Sequence, residues 1–119
     1  METSVNNKCK AFTSLGQSKK LAEILPLESA DMSYQHFVPE FGLEGYCISL
    51  DAVEYDDDIP CWSLAALLGV LPEGTRLLKS ATDNTCHCDC PKGNIDKWFD
   101  NPVDACYELI LKLHELNLL

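Results

Sequence analysis

Basic residues are scarce in this chain: nine lysines and arginines stand against nineteen aspartates and glutamates, for a formal net charge of −10. That balance excludes nonspecific adhesion to nucleic acid or anionic lipid, since both attract basic surfaces. No apolar window is long enough to span a membrane. The opening stretch carries Asn6, Asn7, Lys8, Lys10, Lys19 and Lys20 and no apolar segment of the secretory kind. The expectation is a cytoplasmic protein without membrane contact. Catalytic signatures are missing as well: there is no glycine-rich phosphate loop, no Gly-x-Ser-x-Gly elbow and no His-Glu-x-x-His. Asp56-Asp57-Asp58 lacks the spacing and glycine of a calcium-binding EF-hand loop and reads as a solvated turn.

What is present suits one compact domain. A chain of 119 residues, 46% of them apolar, can bury a single core but not two ordinary ones. Residues 1–12 read as a flexible N-terminus and 13–119 as the domain. Seven cysteines (Cys9, Cys47, Cys61, Cys86, Cys88, Cys90 and Cys106) cannot all pair within one chain, and in a reducing cytosol they are free thiols.

The clearest local signal runs from Asp100 to Asn117. Asn101 is placed to cap a helix, Pro102 fits its first position, and Asp104 complements the positive end of its dipole. Cys106, Leu109, Ile110, Leu113 and Leu116 recur at helical spacing as an inward stripe, with Glu108 and Lys112 paired outside. Ser14 and Gln17 form a capping box for a helix over 15–25, stopped by Pro26. Ser63 caps another, with Leu64, Leu67, Leu68 and Leu71 as its apolar face. Residues 33–38 and 46–53 read as one antiparallel hairpin, and 75–82 with 85–90 as a second, turning at Asp83-Asn84. The order predicts an α+β fold: about three helices packed on a small antiparallel sheet built from two hairpins.

The fragments 17–25, 62–68 and 100–109 resemble a group of small uncharacterised proteins encoded by bacterial mobile elements and phages of gut anaerobes. The resemblance covers the three helices and rests on caps and core stripes. It implies a bacterial, cytoplasmic, single-domain accessory protein and carries no catalytic residue.

Cys86-His87-Cys88-Asp89-Cys90 is the one dense group of metal-binding side chains. Thiolate and imidazole suit zinc, so Cys86, His87, Cys88 and Cys90 are the candidate ligands. Geometry opposes them. Alternate residues of a regular strand lie roughly 6.5–7 Å apart, whereas sulfurs sharing a zinc lie under about 4 Å apart. The plainer expectation is a strand with three thiols on one face and His87 and Asp89 on the other. Cys61 and Cys106 read as packing residues, and His36 and His114 as isolated histidines. Beside the inward stripe of the last helix, Tyr107, Leu111 and Leu118 form a candidate partner surface. The resulting expectation is a non-enzymatic protein-interaction or accessory protein without a cofactor, binding an unidentified protein or a second copy of itself. The alternative is a small zinc protein.

Overall fold

The computed structural model describes residues 10–37, 42 and 45–119. The elements are α1 (Leu15–Ala22), a 3-10 turn (Leu27–Ser29), β1 (Met32–Phe37), β2 (Gly45–Ser49), β3 (Ile59–Cys61), α2 (Leu64–Val70), β4 (Arg76–Lys79), β5 (Cys86–Cys90), β6 (Gly93–Asn94) and α3 (Pro102–Glu115). The fold is α+β, with its strands divided between two antiparallel three-stranded sheets ordered β2-β1-β3 and β4-β5-β6. Each expected hairpin therefore acquires a short third strand and stands in a sheet of its own.

Local chemistry sets the helix starts. Ser14 and Gln17 form the reciprocal capping box, Ser63 accepts from the Ala66 amide, and Asn101 accepts from the Asp104 amide ahead of Pro102. α1 is shorter than the spacing of its leucines suggests: Ile24 and Leu25 continue only as a closing turn, with both amides bonded to Leu21 O.

α3 buries Val103, Ala105, Cys106, Leu109, Ile110 and Leu113. Leu116, expected on that stripe, is exposed. It is the C-cap; Asn117 adopts the left-handed conformation (φ 59°), and the Leu118 amide reaches back to Leu113 O at 2.8 Å. That closure ends the helix and turns Leu116 off the core. Lys112 pairs with Glu115 at 3.6 Å rather than with Glu108.

Strand β3 has no clear signal in the sequence, because it is three residues long and contains Pro60. A side-chain-built turn delivers it. The Asp58 carboxylate accepts the amides of Glu54 and Tyr55, folding the acidic run back so that Ile59 and Cys61 pair with Tyr34 and Met32. Asp58 is thus buried, although its neighbours are exposed as expected. Proline fits an edge strand, where one missing donor is tolerated. β2 ends at Ser49, whose hydroxyl accepts the Asp51 amide and bends the chain away.

Residues 1–9 of the expected flexible terminus, and residue 38 of the first expected hairpin, lie outside the described residues. Lys10, Ala11 and Phe12 are held: Ala11 O accepts the Leu64 amide, Phe12 bridges Ser63, and Lys10 Nζ lies 2.9 Å from Asp104. The main core joins Leu21 and Leu25 of the α1 region, Trp62, Leu67 and Leu71 of the α2 region, the β5 cysteines and the inner face of α3. No helix among the described residues is long and apolar enough to cross a membrane.

Candidate functional site

Strand β5 is the place where reactive side chains concentrate, and its two faces have separate environments. Cys86, Cys88 and Cys90 are buried, while His87 and Asp89 alternate with them on the outer face. Cross-strand pairing to Arg76, Leu77, Leu78 and Lys79 of β4 holds this phase. The turn after Cys90 and the short β6 cover one end of the opposite edge. Phe99 returns to make two backbone hydrogen bonds with Cys86, at 2.7 and 2.8 Å.

On the outer face, Arg76 donates two hydrogen bonds to the Asp89 carboxylate, each 3.2 Å long. Asp89 also lies 3.6 Å from His87 Nδ1, and the ring of Trp98 covers His87 with centroids 5.2 Å apart. This is a cross-strand charge cluster under an aromatic lid. Among the described residues, the partners of the His87 ring are Asp89 and Trp98.

On the inner face the four proposed zinc ligands do not converge. His87 points away from the thiols, and Cys90 Sγ lies 3.3 Å from Gly93 O. Among the described residues, no three histidine, cysteine, aspartate or glutamate side chains come together as metal donors. The structure instead brings Cys88 to Cys106 of α3, Sγ to Sγ 3.8 Å. The hydrogen bond shared with Cys106 lowers the Cys88 thiol from its ordinary pKa, against burial and the charge of Asp89. The same hydrogen bond, with burial and the neighbouring thiols, drives Cys106 far upward. Cys106 was expected as a core packing residue, but its contact with Cys88 is not legible in the sequence. The one available signal was that both residues fall on inward stripes.

The other candidates are dispersed. Cys61 is buried, hydrogen-bonded to Thr13, and its pKa is raised, chiefly by burial. Tyr34 is pushed up to about 12, by burial first and then by Cys61. His36 contacts Asp57 at 3.2 Å and lies against the ring of Tyr46. His114 is exposed at the end of α3. Tyr107 and Leu111 of the expected partner strip are half-buried against the core, and Leu118 is exposed. Leu111 also lines two open clefts beside α3, of about 260 and 420 Å³.

Large apolar side chains are exposed elsewhere, around the β1–β2 hairpin. Phe37, Ile48, Leu50 and Tyr55 are all exposed, Leu50 by 83% and Tyr55 by 64%. The sequence treated these residues as strand or loop and offered no reason to group them. Comparison of the chain with the models of known protein families, with curated proteins and with solved structures gives no match.

Proposed function

We propose that the chain is a non-enzymatic protein-interaction module, and that the β1–β2 hairpin is its binding surface. One observation carries this reading: exposed apolar side chains and exposed carboxylates follow one another along the segment from β2 to β3. Ile48 and Leu50 lie on or just past β2, and Asp51, Glu54, Asp56 and Asp57 follow in the exposed connection to β3. Among the described residues no strand pairs with the outer edge of β2. An edge strand offers unpaired backbone groups to an extended segment. Apolar patches supply affinity, while carboxylates select the sign of the partner.

The occupant that fits is an extended segment of a partner protein in which basic and β-branched residues alternate. A second copy fits less well, because each copy carries a charge of −10 and like charges oppose association. An accessory role in a mobile element belongs to the same reading and rests on the sequence resemblance alone. The expected strip of Tyr107, Leu111 and Leu118 is a weaker surface, since two of its three members pack on the core.

The test is a titration of isotopically labelled protein with a synthetic peptide alternating lysine and valine, followed by backbone amide shifts. Shifts centred on Gly45–Ser49 that weaken with salt, and that vanish for a peptide alternating glutamate and valine, are expected. Shifts centred on α3, or equal responses to the two peptides, would overturn the assignment. A dimeric mass by light scattering, returned to one chain by Ile48→Lys, would replace the partner with a second copy.

A further inference from the structure

The contact between Cys88 and Cys106 joins two elements that the chain brings together only through tertiary folding. The residues are 18 apart in sequence, one on β5 and one on α3, with their sulfurs 3.8 Å apart. Among the described residues this is the one contact between two thiols. Cys90 is turned to Gly93 O, and the Cys86 backbone is tied to Phe99. Cys88 and Cys106 are thus the thiols placed to react with each other. They need close only from 3.8 Å to the bonded distance of about 2.05 Å.

We propose that Cys88 and Cys106 form an oxidisable dithiol, converted by a peroxide into a disulfide that staples β5 to α3. Cys88 is the attacking sulfur, because it is the one of the pair that keeps any solvent exposure, while Cys106 is fully enclosed. The Cys88 thiolate attacks one peroxide oxygen, the O–O bond breaks, and hydroxide leaves to give a sulfenic acid. Cys106 sulfur then attacks the sulfenic sulfur. The S–O bond breaks, the thiol proton accompanies the departing oxygen, and water leaves. In total two thiols lose two electrons and two protons, and one hydrogen peroxide becomes two waters.

A cleft lies beside the pair without reaching either sulfur. It has a volume of about 380 Å³ and is lined by Leu77 and Cys86, the first paired across the strands with Cys88 and the second two positions along the same face. Cys88 is only 2% exposed and Cys106 not at all. A small peroxide is therefore the fitting oxidant, and a bulky disulfide such as oxidised glutathione is not.

The experiment uses the full chain carrying Cys9→Ser and Cys47→Ser, which removes Cys9 and the one exposed thiol among the described residues, treated with hydrogen peroxide. After unfolding and alkylation, intact mass and peptide mapping read the product. The expected result is a loss of about 2 Da per chain, with the Cys88 peptide linked to the Cys106 peptide and a melting temperature that rises and falls back on reduction. The link should form faster with hydrogen peroxide than with oxidised glutathione. A map in which both residues stay alkylated, or in which either pairs with another cysteine, would overturn the proposal. Because the map of this single variant decides, nothing depends on whether Cys106→Ala folds. Should that variant fold, Cys88 in it should be trapped as sulfenic acid.

Discussion

The two sheets of this protein bury their side chains in different ways. In the β4-β5-β6 sheet, burial alternates across the strand: Cys86, Cys88 and Cys90 are in, and His87 and Asp89 are out. In the β2-β1-β3 sheet, burial changes along the strand. β1 begins buried at Met32 and Ser33 and ends exposed at Phe37, and β2 is half-buried or exposed throughout. The difference follows from what lies beneath. α3 runs under β5 and covers one whole face, whereas α1 reaches the other sheet mainly at β3. A strand shows clean alternation only where an element covers one face for its full length. The hairpin extends past its cover, so Phe37 at its tip and Ile48 and Leu50 along and just past β2 stay exposed.

The firmest way to break this comparison is Leu113→Ala. Leu113 is fully buried on the face of α3 that packs against the main core, and its truncation should cost about 2–5 kcal/mol in urea unfolding. Asn101→Ala should cost about 0.5–2 kcal/mol. The upper part of that range is expected, because the side chain is fully buried and its amide also donates to Asp104. A smaller loss for Leu113 than for Asn101 would mean that the α3 face is not the tightly packed side.

The pH dependence of the α3 cap sharpens the same contrast. Burial alone would raise the pKa of Asp104, yet hydrogen bonds from Lys10, Gln17 and Asn101, with the Lys10 charge, hold it below its ordinary value of 3.8. A folded-state pKa lower than the unfolded one stabilises fully above the unfolded value and is lost as pH falls through the folded value. The stability gap between the natural chain and Asp104→Asn should therefore be constant near about pH 7 and shrink below about pH 4. A gap that widened in acid would contradict the cluster at this helix start.

The smallest effects belong to exposed positions. Leu50→Lys and Lys112→Ala should each change stability by no more than about 0.5 kcal/mol. Leu50→Lys should nonetheless weaken binding of the basic peptide, because it places a cation in the proposed patch. A large stability loss at Leu50 would show that the chain just past β2 is covered after all.

Sequence alone determined the features made by residues three or four positions apart. The caps at Ser14, Ser63 and Asn101 and the inward run from Cys106 to Leu113 are of this kind, because a helix closes its hydrogen bonds locally. The turn at Asp83, whose carboxylate accepts the Thr85 amide, and the two-residue alternation of β5 are equally local. Only the tertiary structure decided which stripe meets which. The split into two sheets, the return of Ile59–Cys61 to β1, the Lys10–Asp104 pair across 94 residues and the meeting of Cys88 with Cys106 all depend on the path of the intervening chain. Their side chains carry no mark of their partners, since burial and pairing arise from long-range packing rather than from neighbours in sequence. The exposed apolar residues of the hairpin are decided in the same way: Phe37, Ile48 and Leu50 have the composition of a core, and only the reach of the helices left them outside it.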